Sequence, residues 1–172
     1  WVVNRSAAIN WIAWCLAIPS VLLSLLAAVA KLPGLVMYAY LLESALYFYT
    51  AAGLIAYMLR DHRVTRDELY ATAATFTLLA WGFAFAFAVC QAWFPGSFVG
   101  MVEPERPRTW FELLFLSFST LSSVGIGDIV PVSAPARSLV MLASFAGVMY
   151  IALVVSRLIG LSTLRRGQGD AR

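Results

Sequence analysis

Charge is scarce in this chain. Asp, Glu, Lys and Arg make up 12% of its 172 residues, against about a quarter in an ordinary soluble domain. Hydrophobic residues make up 62%. That leaves too little polar surface to cover a folded core, which excludes most soluble enzymes and binding modules. Histidine is reduced to His62, which lies in a polar stretch. No His, Cys and carboxylate set has metal-ligand spacing, and no nucleophile stands paired with a base. The two cysteines, Cys15 and Cys90, both fall inside apolar runs, so a disulfide framework is not expected. Position 1 lacks a methionine, and Trp1 reads as the start of a fragment or processed form. The net charge of +3 is small, so where the charges sit says more than their sum.

Long apolar runs are what the chain has in quantity. Residues 7–30, 35–59, 69–94 and 136–161 contain 24, 25, 26 and 26 residues, and a helix needs about 20 to cross a bilayer. Backbone groups in lipid must be satisfied internally, so each run is expected to be a helix. The many ten-residue alternating strands of a membrane barrel are missing. The fold class that follows is an all-α membrane protein with four transmembrane helices per subunit. Placing both termini on the cytoplasmic side puts eight arginines inside (5, 60, 63, 66, 157, 165, 166 and 172). Lys31, Arg106, Arg108 and Arg137 then lie outside. That distribution follows the positive-inside rule. Trp11, Trp14, Tyr57, Tyr70, Trp93 and Phe94 sit where interfacial aromatic belts belong. Ala80, Ala84 and Ala88 recur every fourth residue, a stripe suited to close helix contact. Pro19 is expected to kink or weaken the first span.

The 27 residues from Thr109 to Pro135 carry the chemistry. Thr109 and Glu112 have the spacing of a capping box. They open an apolar helix, 109–121, that is too short to cross the membrane and long enough to re-enter it. Its C-terminal end, the negative end of its dipole, favours a cation. Ser123-Val124-Gly125-Ile126-Gly127-Asp128 follows. Glycines on either side of a bulky residue allow alternating backbone angles that turn successive carbonyls one way. Val124 and Ile126 would then pack behind the strand against the short helix. Carbonyls unpaired at membrane depth need an ion or water as partner.

Thr120-Leu121-Ser122-Ser123-Val124-Gly125-Ile126-Gly127-Asp128 resembles the potassium-channel signature T-x-T-T-V-G-Y-G-D. Thr120, Val124, Gly125, Gly127 and Asp128 match as written, Ser122 and Ser123 keep a hydroxyl, and Ile126 replaces tyrosine. The resemblance covers about residues 69–161. It implies a tetrameric pore with the permeant K+ held at Ser123, Val124, Gly125 and Ile126, and a filter of backbone carbonyls from Ser123 through Gly127. Thr120, Ser122, Asp128, Phe115 and Ser119 would support it. The family's tyrosine hydroxyl ties to donors on the short helix, whereas Ile126 faces Phe115 and Leu116, which offer none. Ser119 stands where a carboxylate partner of Asp128 is common, so that link is expected to be weak or water-mediated.

The resulting layout has peripheral helices and an inner loop over 1–66 and a pore domain over 67–161. The pore domain divides into an outer helix (66–94), outer loop (95–108), pore helix (109–121), filter (122–128) and inner helix (136–161), with a cytoplasmic tail at 162–172. Gly147 lies where the family places a hinge; close helix packing is the alternative use of a glycine there. Val148, Ile151, Val155 and Ile159 fall at helical spacing and could wall the cavity below the filter; a helix seam is the alternative use of such a stripe. The Arg60, Arg63 and Arg66 repeat is interrupted by polar residues, unlike a voltage sensor, and Thr65 with Glu68 could cap the third span. Glu43 is the one carboxylate inside a span, with Lys31 and Arg137 as candidate partners, and a snorkelling role is the alternative. The expected function is a potassium-selective channel in the plasma membrane, a homotetramer in contact with membrane lipids. It would need no cofactor beyond K+ as permeant ion and bind no nucleic acid. A weakly selective cation channel on the same scaffold is the alternative, and a non-conducting membrane adaptor the third.

Overall fold

The structure is a computed structural model that describes residues 7–30, 33–60 and 66–169. The expected apolar runs are helices: α1 (Ala7–Ala30), α2 (Pro33–Arg60), α3 (Arg66–Trp93) and α5 (Ala134–Gly169), with the short α4 (Trp110–Leu121) between the last two. Gly34–Leu59, Tyr70–Trp93 and Ala134–Arg157 are long and apolar enough to cross a membrane. Within α1 the described apolar stretch is Trp11–Ala27, and the helix continues through Pro19. Cys15 and Cys90 are free thiols.

The helices pack in chain order. α1 lies on α2, α2 on α3, and α3 holds both α4 and α5. The alanine stripe explains the last arrangement: Ala80, Ala84 and Ala88 are all buried, so neighbouring backbones can approach α3 closely. Ser117 on α4 uses that closeness, donating its hydroxyl to the Ala80 carbonyl at 2.8 Å. Ser44 on α2 does the same to the Gly82 carbonyl at 3.0 Å. Nearer the start of α3, Tyr150 of α5 donates to the Thr72 carbonyl at 2.6 Å. Each of these side chains links two helices through a backbone carbonyl, which has two lone pairs with which to accept.

Two three-residue strands were not expected from the sequence. β1 (Phe98–Gly100) and β2 (Ile129–Pro131) pair antiparallel, with Phe98 opposite Pro131, Val99 opposite Val130 and Gly100 opposite Ile129. The ladder extends by one bond at each end, Met101 N to Asp128 O and Val132 N to Ser97 O, both 2.9 Å. Beyond it, Ser133 caps α5: its hydroxyl accepts from the Ala136 amide at 3.3 Å and donates to Ser97 Oγ at 2.8 Å. The chain leaving α3 and the chain entering α5 are therefore stitched together around the segment between α4 and β2.

The core lies between α3, α4 and α5. Phe83, Phe87, Phe98, Leu113, Leu116, Leu121 and Ala143 fill it. Phe87 packs against Phe98 in a tilted arrangement at 5.4 Å between ring centres, joining α3 to β1. The buried face of α5 runs through Ala136, Ala143, Gly147 and Tyr150, the spacing of one helical face.

Candidate functional site

The expected capping box is present. Glu112 N donates to Thr109 Oγ1 at 3.3 Å, and Thr109 N donates to Glu112 Oε2 at 2.6 Å. Arg106 adds an ion pair to Glu112 at 2.9 Å. Hydrogen bonds from Thr109, helped by this guanidinium, lower the Glu112 carboxyl from its ordinary value to about 2. The reciprocal pairing fixes where α4 begins, and so how deep its C-terminal end reaches.

At that end the chain reverses around one residue. Ser123 takes φ +60°, a left-handed conformation that often closes a helix just past its cap. The carbonyl of Ser119 then accepts the amides of both Val124 and Gly125 at 3.1 Å, and the Ser119 hydroxyl accepts the amide of Ile126 at 2.8 Å. Ser122 Oγ also donates to the Ser119 carbonyl, at 3.3 Å. Thr120 contributes its carbonyl to the Ser123 amide at 3.1 Å.

A consequence follows from peptide planarity. All peptide bonds here are trans, and a trans peptide holds its C=O antiparallel to the following N–H. Three consecutive N–H groups, of Val124, Gly125 and Ile126, point back at Ser119. The carbonyls of Ser123, Val124 and Gly125 must therefore point away from α4. Residues 123–128 are all exposed on the chain, so that side carries oxygens without covering protein. The left-handed angles that produce this turn fall on Ser123 and Gly125, at +60° and +67°, two residues earlier than the spacing of Gly125 and Gly127 suggests. The helix C-terminus takes the first of them.

The support of this segment departs in part from expectation. Ser119 and Asp128 share no direct hydrogen bond: the Ser119 hydroxyl accepts the Ile126 amide, while the Asp128 side chain is exposed and its carbonyl accepts from Met101 N. Val124 and Ile126 do not pack behind the strand within the chain, being 65% and 49% exposed. Of the two residues expected to face Ile126, Leu116 points into the core instead, and Phe115 is half-exposed. The helical period decides this, since residues adjacent in sequence on α4 occupy different faces.

Gly147 lies against the end of α4. A Cβ there would meet the Leu121 carbonyl oxygen, with the Leu121 carbonyl carbon at 2.7 Å. This is a close helix crossing directly beneath the turn at Ser123. Val148, Ile151 and Val155 lie on the uncovered side of α5, each between 42% and 52% exposed. The side chain of Ile159 lies outside the described residues, as do Lys31, the Thr65 and Glu68 cap and the interior of the arginine-bearing loop at 61–65. The half-buried Glu43 carboxylate accepts from Ser24 Oγ of α1 at 3.4 Å. Among the described residues it forms no ion pair with Arg137, whose guanidinium donates to the Pro131 carbonyl at 3.2 Å.

Sequence reasoning missed Arg108. It is buried, and its guanidinium donates to the carbonyls of Val102 at 3.1 Å, Glu103 at 2.5 Å and Arg106. Its backbone is clasped by Gln91 of α3 through two bonds of 2.8 and 2.9 Å. The only sequence signal was an arginine between two prolines and a helix cap, which suggests solvent as readily as burial.

Among the described residues, no group of His, Cys, Asp and Glu could hold a metal ion. No curated protein and no solved structure matches the chain at a significant level. A family model described as ion channel matches residues 42–162, which is 121 of the 172 residues and contains α3, α4, the exposed turn and α5 up to position 162. The chain thus belongs to an ion-channel family, with apolar membrane-type helices surrounding the turn at 122–128.

Proposed function

We propose that this protein is a potassium-selective channel, in which four copies bring their 122–128 turns around one axis. Each copy contributes four membrane-crossing helices, with both termini on the cytoplasmic side of the plasma membrane. K+ would pass down its gradient in single file, its hydration shell replaced at Ser123, Val124, Gly125 and Ile126 by carbonyl oxygens. The observation that carries this reading is the hold of Ser119 on three consecutive amides, which leaves three consecutive carbonyls turned outward. Repulsion between neighbouring ions and the negative end of α4 would keep binding loose enough for flow.

Exposure supports the fourfold arrangement. Val124, Ile126, Phe111 and Phe145 are large apolar groups uncovered on the single chain. Val124 and Ile126 lie on the segment that must be rigid for selectivity. Copies of the chain are the simplest cover, because one turn supplies only one wall of a conduit. Val148, Ile151 and Val155, with Ile159 continuing the stripe, would line an apolar vestibule able to close by dewetting. Gly147 would give α5 a point of bending.

One observation favours a second reading, a weakly selective cation channel. Ile126 offers no hydroxyl, and the only side-chain bond that the turn receives from α4 beyond its first residue is that of Ser119. A filter so lightly tied could admit Na+. Purified protein in liposomes decides between them. Selective flux of K+ supports the first reading, equal flux of K+ and Na+ supports the second, and no flux of either contradicts both.

A further inference from the structure

The outer loop between α3 and α4 has no regular structure from Met101 to Pro107 apart from turns, yet one of its flanking residues is buried as deeply as the core. Arg108 is 4% exposed. Its guanidinium is surrounded by backbone oxygens from Val102, Glu103 and Arg106, with the Glu112 carboxylate at 3.6 Å. A cation placed there organises the loop much as a bound ion would, because each carbonyl directed inward loses its water and gains a charged donor.

The guanidinium also lies against β1, the strand paired with the one that leaves the candidate filter. A Cβ on Gly100 would meet Arg108 Nη1, with Cζ at 3.1 Å. Gly100 sits opposite Ile129 in the β1–β2 pair, and the next residue, Met101, donates to the Asp128 carbonyl. A continuous path therefore runs from Arg108 through Gly100 to Asp128. The other side of Arg108 is fixed to α3 by Gln91, whose amide makes both a donor and an acceptor bond to the Arg108 backbone.

We propose that Arg108 is a positioning residue for conduction: lodged beneath Gly100, it sets the height of β1 and through it the outer end of the 122–128 turn. The turn is held from two sides. Ser119 grips its inner part, and the Arg108 knot holds its exit. The inference rests on the channel reading for its functional consequence, and on the hydrogen bonds alone for its structural one.

The test compares wild type, Arg108→Met, Gly100→Ala and the double variant in liposomes, with hydrogen exchange read on the same proteins. Arg108→Met keeps the bulk of the side chain and removes every donor. The expected result is a reversal potential shifted toward zero in opposed K+ and Na+ gradients, with faster decay of current that high K+ on the filter side slows. Gly100→Ala pushes on the same guanidinium from above and should give the same phenotype. In the Arg108→Met background it should add little, since two changes acting on one contact are not additive. Exchange at the Met101 amide should rise at least tenfold in either single variant. A role confined to folding would lower the number of active channels and leave the reversal potential of the survivors unchanged, which would overturn the proposal, as would full additivity of the two substitutions. If wild type itself passes no ions, the channel reading fails separately, and protection at Met101 still decides whether Arg108 sets the strand: unchanged exchange in Arg108→Met refutes it.

Discussion

The hydroxyl of Ser119 accepts the amide of Ile126 at 2.8 Å, while the carbonyl of the same residue accepts the amides of Val124 and Gly125. One buried residue at the end of a short helix thus orients three peptide planes. Side-chain chemistry enters only once, and the rest is backbone.

Replacing Ser119 by alanine removes one of those three holds. Leaving a shielded donor unsatisfied costs about 1 kcal/mol or somewhat more, and the loss falls on the Ile126 peptide. Ser119→Ala is expected to fold, to carry current that decays several-fold faster than wild type, and to be rescued by Ser119→Thr, which keeps the hydroxyl. Recordings in planar bilayers check this. Equal decay in all three proteins would show that the hydroxyl is dispensable.

Glu112 gives a pH dependence with a definite sign. Its folded carboxyl titrates near 2 instead of 4.5, so the folded state favours the charged form. The contribution to stability is present in full above about pH 4.5 and disappears as pH falls toward 2. Thermal unfolding in detergent should therefore show no contribution from Glu112 to the change between pH 7 and 5, and a decline below that range. Glu112→Gln should be less stable at pH 7 and should lose less on acidification. A Glu112→Gln protein whose acid profile overlays wild type would contradict the capping role.

Glycine positions on two helices separate crowding from propensity. Gly147→Ala places a methyl against the Leu121 backbone, and overpacking of this kind costs about 1–3 kcal/mol. Gly53→Ala on α2 meets nothing within 4 Å and is expected to leave stability unchanged or improve it. Thermal denaturation of the two variants should move in different directions. A Gly147→Ala protein as stable as wild type would mean that α5 and α4 can separate freely at this crossing.

Several of these features were legible in the sequence. The helix ends at Thr109 and Leu121 could be read because capping residues and apolar periodicity are local signals. The alanine stripe could be read for the same reason. The β1–β2 pair could not: strands of three residues carry no alternation to detect, and their register is set by partners about thirty residues apart. Arg108 was hidden because its acceptors are carbonyls, which no sequence pattern displays. The orientation of Leu116 into the core, with Phe115 half-exposed beside it, depended on the rotation of α4 against α3, a tertiary choice. The left-handed turn at Ser123 was not legible, because the helix end imposes on a serine an angle that sequence associates with glycine.

Phe115 and Ile126 test the assembly. Both are apolar and exposed on the single chain. In a background with Cys15 and Cys90 replaced by serine, the paired substitutions Phe115→Cys and Ile126→Cys are expected to oxidise between copies, giving covalent species of two, three and four chains on a denaturing gel. A single monomer band after oxidation, with a monomer mass in native mass spectrometry, would contradict a shared pore.

The most direct measurement is the reversal potential of the purified channel with K+ on one side of a bilayer and Na+ on the other. A permeation path of outward carbonyls from Ser123, Val124 and Gly125 predicts a potential far toward the K+ equilibrium value, moving by about 59 mV per tenfold change in K+ as for any single univalent carrier of current. A potential at zero with robust current would contradict potassium selectivity, and the absence of any current would contradict conduction through this turn.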